Sequence, residues 1–160
     1  MENNDNSIQL AIELYNDMLS KKDALKQAKK KFKDLHNSII EIKRKALQEQ
    51  FPEVDLKERF SWAVVGVEFC LPAGLFCDLI ISSSEKELEC CVVLVPKEIR
   101  TLSREQFMEF ADNFQGIFTH YNLPEKIYAD FRVYQYDEVF ACFSKAFNKL
   151  NEIGAKIAYK

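Results

Sequence analysis

Apolar positions in the first third of the chain recur at helical spacing. Ala11, Leu14, Met18, Lys21, Leu25, Ala28, Phe32, Leu35, Ile39, Ile42 and Ala46 follow one another in alternating steps of three and four, a heptad seam interrupted only by Lys21. The seam predicts helix over residues 7–50, and a second stripe (Ile8, Ile12, Tyr15, Leu19) widens its apolar face at the start. Ser20 followed by Asp23 resembles a capping box, at which the chain would break into a helical hairpin. Unbroken, the helix would run for roughly 60 Å, more than a domain of this size can cover. Either form must end before Pro52, because the residue preceding a proline disfavours helix.

From Phe60 the period changes to that of strands. Residues 61–70, 75–81 and 88–95 are β-branched and apolar, separated by Pro72-Ala73-Gly74 and by a polar loop, Ser82 to Lys86. Links this short predict an antiparallel meander. Ser103 caps a helix with Phe107, Phe110, Ala111, Phe114, Ile117, Phe118 and Tyr121 on its buried face, stopped by Asn122 and Pro124. Residues 126–134 turn Ile127, Ala129, Phe131 and Val133 inward as a fourth strand. A last helix from Asp137 carries Phe140, Phe143, Phe147 and Leu150 and stops at Gly154.

The fold class is therefore α+β: a long N-terminal helix or helical hairpin, a three-stranded antiparallel meander, a helix, a fourth strand and a C-terminal helix. Residues 1–51 form a basic amphipathic helical segment and residues 52–160 an α/β domain, expected to fold as one unit, with Pro52–Leu56 as the linker.

Composition adds limits. The 160 residues suit a single domain, and 48% apolar content gives it a core. No apolar run is long enough to span a membrane, and the polar N-terminus lacks the order of a secretion signal. Cys70, Cys77, Cys90, Cys91 and Cys142 are odd in number, lie in apolar runs and form no CxxC pair, so buried free thiols in a reducing cytoplasm are expected. Cys90 and Cys91 are adjacent on a strand and point to opposite faces, which excludes a redox pair. His36 and His120 read as surface or cap residues. No Gly-rich phosphate loop and no GxSxG elbow is present.

Charge changes the picture most. The chain carries −3 overall, yet Lys21 to Lys45 holds ten Lys or Arg against Asp23, Asp34 and Glu41, a local +7 that leaves −10 for the remainder. With Ala11 at heptad position a, the e positions are Tyr15, Lys22, Lys29, His36 and Lys43, and the g positions include Asp17, Ala24, Lys31, Ser38 and Lys45. A parallel copy would match Asp17 with Lys22 and little else. The seam thus suits an acidic surface: the chain's own acidic body, an antiparallel copy, an acidic protein groove, or nucleic acid. Lys22, Lys29, Lys30, Lys31, Lys33, Lys43, Arg44 and Lys45 are the candidate partner-binding residues. The plainer alternative is that these lysines only solvate an amphipathic helix.

Glu68, Asp78 and Glu89 fall on the three meander strands. A four-residue hairpin at residues 83–86 would set Ile80 against Glu89 and Asp78 against Cys91, diagonal to Glu89 on the same face, where two carboxylates can hold a divalent cation. An Asp on one strand, a hairpin and a Glu on the next resembles the PD-(D/E)xK nuclease core, and the order of elements is similar. The resemblance implies Asp78 and Glu89 as ligands of Mg2+ or Mn2+ and a lysine two residues after the Glu to position water. Cys91 occupies that lysine position, and Lys97 lies beyond the strand.

The resulting expectation is a non-catalytic intracellular protein-binding module, an adaptor, inhibitor or chaperone-like protein, without a cofactor. It would act through the basic heptad helix and one face of the sheet, by self-association or on an acidic protein surface. Small acidic secretion chaperones have a broadly similar helix-and-meander plan. The alternatives are a metal-dependent or degenerate nuclease of the PD-(D/E)xK type, and a nucleic-acid-binding protein.

Overall fold

A computed structural model describes residues 2–56, 63–84, 89–97, 102–122, 126–132 and 134–158. Phe60, Ser61, Trp62, Lys86, Leu88, Pro124 and Val133, to which the sequence assigns places, lie outside the described residues. The chain divides into two compact units, residues 1–38 and 39–160.

The N-terminal pattern forms one helix, α1 (Glu2–Gln50), and not a hairpin. Nothing in residues 2–50 is Gly or Pro. Ser20 sits mid-helix, between the i,i+4 pair formed by Lys21 Nζ and Asp17 Oδ2 at 2.6 Å and the turns that follow. In the second unit the last turns of α1 bury Ile40 and Leu47, while Ile42, a seam residue, is exposed.

The expected linker is instead packed. Phe51, Val54 and Leu56 are buried. The Gln48 amide donates to the Phe51 carbonyl at 3.1 Å and to that of Val54, and its oxygen accepts from the Leu56 N–H at 2.9 Å. Arg44 Nη1 donates to the Leu56 carbonyl at 2.8 Å. The side chain of Gln48 thus takes the place of water for a backbone that has left the helix.

Six strands follow in one antiparallel sheet: β1 (Ala63–Cys70), β2 (Phe76–Ser84), β3 (Glu89–Pro96), β4 (His120–Asn122), β5 (Lys126–Arg132) and β6 (Lys156–Ile157), in spatial order β4-β5-β3-β2-β1-β6. Helix α2 (Arg104–Asp112) lies between β3 and β4, and α3 (Tyr136–Glu152) between β5 and β6. One sheet face is a continuous apolar layer of Val65, Val67, Phe69, Cys77, Leu79, Ile81, Cys90, Val92, Leu94, Ile127 and Ala129. Against it α3 packs Val139, Phe143, Ala146, Phe147 and Leu150. The other face centres on Ile80 and Val93, with Cys91, Val95 and Tyr128 half-buried around them.

Two local expectations are corrected and one element is added. The second hairpin turns later than residues 83–86: β2 continues through Ser84, which pairs with Glu89, so Asp78 faces Val95 and not Cys91. The three serines enter the ladder because pairing uses backbone groups, whatever the side chain.

The second correction is that α2 ends at Asp112, well short of Asn122. Its N-terminus is the expected one, with Ser103 and Gln106 forming a reciprocal capping box. Asn113 turns its amide back onto the Glu109 and Phe110 carbonyls, and Gly116 adopts φ +77°, a conformation that stops a helix. Phe114 and Phe118 are buried as expected, but from a turn, and Tyr121 lies on β4.

The added element lies at the C-terminus. Gly154 (φ +82°) ends α3 as expected, and the chain then pairs Lys156 and Ile157 with Cys70 and Phe69 as β6.

The Gln48→Ala variant should lower the stability of the second unit by about 2–3 kcal/mol, because three half-buried backbone groups lose their partner together. The exposed neighbour substitution Glu49→Ala should shift it by less than about 0.5 kcal/mol. Urea unfolding followed by fluorescence measures both; equal midpoints for the two variants would show that Gln48 holds nothing in place.

Candidate functional site

Two features of the structure carry charge or apolar surface beyond what a core requires. The first is the helical segment of unit one. Ile8, Leu10, Ile12, Leu14, Tyr15, Met18, Leu19, Leu25 and Leu35 are each between 41% and 68% exposed. Single exposed leucines are ordinary, but nine large apolar side chains along one helical segment are not. Leu14, Met18, Leu25 and Leu35 are seam residues, so the heptad surface faces solvent in the isolated chain.

The candidate lysines divide into two groups. Lys22, Lys29, Lys30, Lys31 and Lys33 lie exposed on this segment. In the second unit, Lys43 bonds Asp137, and Arg44 forms a fork onto Glu41 at 2.7 and 2.8 Å as well as holding the Leu56 carbonyl. Those two cations serve the fold of that unit, and the Arg44 guanidinium holds the Glu41 carboxyl below its usual range. Lys45 is exposed, 3.8 Å from Glu41.

Charge is segmented along the same helix. Residues 2–20 contain Glu2, Asp5, Glu13 and Asp17 and no Lys or Arg. Residues 21–33 contain seven lysines and Asp23 alone. His36 is buried, contrary to the expectation of a surface residue. It shares the helix face of Ile40, one turn on, and stacks on Phe32 with ring centroids 6.1 Å apart.

The second feature is a carboxylate pair. Glu68 on β1 and Asp78 on β2 face each other in register, and both are 8% exposed. Lys97, just past β3, is positioned by its backbone N–H on the Phe76 carbonyl at 2.8 Å. Its ammonium pairs with Glu68 and stands 3.7 Å from Asp78 Oδ2. The structure thus brings Asp78 together with Glu68 and not with Glu89. Glu89 lies six positions along the paired strands, roughly 20 Å away at 3.3–3.4 Å per residue, where it accepts from Arg132 Nη1 at 2.9 Å. Asp78 and Glu89 do not fit a common divalent cation. Among the described residues no group of three or more His, Cys, Asp or Glu is placed to hold a metal. Lys97 offsets the repulsion of two carboxylates set side by side in a poorly solvated place, which is a structural task.

Sequence reasoning also missed a cross-strand pair. His120 Nε2 lies 3.5 Å from Asp130 Oδ2 on an exposed part of the sheet, and the imidazole stacks on Tyr128 at 4.8 Å. Ten residues separate the two in sequence, and only the β4–β5 hairpin makes them neighbours.

The five cysteines are free thiols. Burial pushes Cys77 up to about 12, with the charges of Asp78 and Cys70 adding to it, and pushes Cys90 and Cys142 each to about 11. Cys91 is raised as well, by burial and then by Asp130. None of these four is poised as a nucleophile. No family model, curated protein or solved structure matches the chain.

Removing the Lys97 ammonium leaves two adjacent carboxylates without their cation. Lys97→Met should therefore cost about 1–3 kcal/mol, less than a fully buried pair because Lys97 is more than a third exposed. Adding Glu68→Gln should recover part of that loss; two variants as stable as wild type in denaturant titration would remove the argument.

The raised thiols give a second expectation. The folded chain keeps protons that the unfolded chain releases above the ordinary value of 9.0, so this contribution to stability is complete below about pH 9 and declines toward pH 11–12. Cys77→Ala should unfold with a shallower alkaline decline than wild type, read from urea midpoints between pH 8 and 11; parallel curves would contradict the assignment.

Proposed function

We propose that the protein is a non-catalytic protein-binding module whose docking element is the exposed apolar face of α1, rimmed by Lys22, Lys29 and Lys31. The observation that carries this reading is the row of nine large apolar side chains left in solvent over residues 8–35. Burying even half of such a row against a partner removes several hundred Å2 of apolar surface from water, at about 25 cal/mol per Å2. The lysines flank the row, which favours a partner with acidic groups beside its apolar ones. The heptad spacing suits a helical partner.

A chaperone-like or adaptor role fits this surface. Five free thiols suit a reducing compartment, so the reading is of an intracellular protein. Among the described residues no helix is long and apolar enough to cross a membrane.

The test is capture of a protein ligand by the tagged full chain, from nuclease-treated extract and from a purified untagged copy. The triple variant L14E/M18E/L25E should retain at least tenfold less, while the second unit unfolds at the wild-type midpoint. Equal capture by the variant, or capture that nuclease abolishes, would overturn the reading.

A further inference from the structure

Resting on the docking reading above, we infer that the occupant of the α1 face is a second copy of this chain, its helix laid antiparallel across a two-fold axis at Asp23.

Charge sets the direction. A parallel copy places the acidic residues 2–20 beside themselves and the seven lysines of residues 21–33 beside themselves. Reversal about Asp23 sets residues 13–20, with Glu13 and Asp17, along residues 26–33 of the other copy.

Packing sets the register. With the axis at Asp23, Ala11 faces Leu35 of the second copy, Leu14 faces Phe32, and Met18 faces Ala28. Both alanines of the aligned seam, Ala11 and Ala28, then meet a large residue, as interdigitated layers require. The one polar seam residue, Lys21, faces Leu25; its stem covers that leucine while its ammonium stays on Asp17 of its own helix.

In an antiparallel pair like flanking positions meet, g with g and e with e. Asp17 then lies beside Lys31 of the second copy, twice by symmetry, Ala24 beside Ala24, and the ring of Tyr15 beside Lys29. Lys22 beside Lys22 is the one like-charged contact. Moving the axis by half a heptad leaves Asp17 beside Ala24 and gives up both ion pairs. The aligned stretch is residues 8–38, which ends where the first compact unit ends.

The full-length protein should sediment as a dimer at about 50 μM, and L14E/M18E/L25E as a monomer. Asp17→Lys and Lys31→Asp should each weaken the dimer about tenfold, and the D17K/K31D combination should restore it, since only the antiparallel register couples these two positions. Ala24→Cys should yield a covalent dimer with a short thiol-reactive cross-linker, above the background of the wild-type cysteines. A dimer in which the two charge changes simply add, or in which Ala24→Cys does not cross-link, would overturn the antiparallel register. A wild-type monomer would overturn self-pairing altogether. If L14E/M18E/L25E nevertheless loses a captured protein, the docking reading stands and only the identity of its partner is wrong; if capture also fails to depend on that face, both fall.

Discussion

The second unit is organised around the ring of Phe147. Its centroid lies 4.0 Å from that of Phe51, at the end of α1, and 5.2 Å from that of Phe69 on β1, in an edge-to-face arrangement. Phe143, one turn earlier on α3, completes the group at 6.5 Å. One fully buried side chain thus fixes α3 against the sheet and the post-helical segment against both. Other constraints follow from that placement. Phe51 still bonds back to the Leu47 carbonyl at 3.0 Å, and the turn after it exposes backbone groups that the Gln48 amide then satisfies. Aromatic contact supplies the energy, and the hydrogen bonds select one geometry for it.

The larger elements were legible because their periods are long and unambiguous. The heptad steps from Ala11 to Ala46 could hardly be a strand, and the Phe spacing of α3 could hardly be anything but one helix face. Local geometry was less legible, for identifiable reasons. Moving the partner of Asp78 from Cys91 to Val95 is a shift of four positions, an even number that leaves every side chain on its original face. Alternation of polar and apolar residues therefore cannot distinguish the two registers. In α2 the spacing of Phe107, Phe110, Phe114 and Phe118 stayed helical beyond the true end. A buried turn held by Asn113 and Gly116 can place phenylalanines inward just as a helix does. The two-residue strand β6 has no periodicity to read.

The same logic governs the site residues. A heptad seam reads alike whether it is buried or open, and only the folded chain shows Leu14, Met18, Leu25 and Leu35 exposed. Lys43 and Arg44 read as part of one basic cluster, although each is engaged within its own unit by residues distant or out of helical phase, Asp137 and the Leu56 carbonyl. Glu68 is marked in the sequence only as a carboxylate on the first meander strand. Its pairing with Asp78 depends on the first hairpin, and its cation comes from the far end of the third strand.

The sheet ends in very short strands, three residues in β4 and two in β6. Where β4 stops, β5 continues with Asp130 and Arg132, both exposed and charged. A stray extended peptide approaching that edge meets only a few vacant backbone groups, guarded by charge, and gains little by joining the ladder. A chain that displays a long apolar helix runs a risk of indiscriminate sticking. The charges of Asp130 and Arg132 disfavour strand addition along the β5 edge, which leaves the heptad surface of α1 as the more selective place to bind.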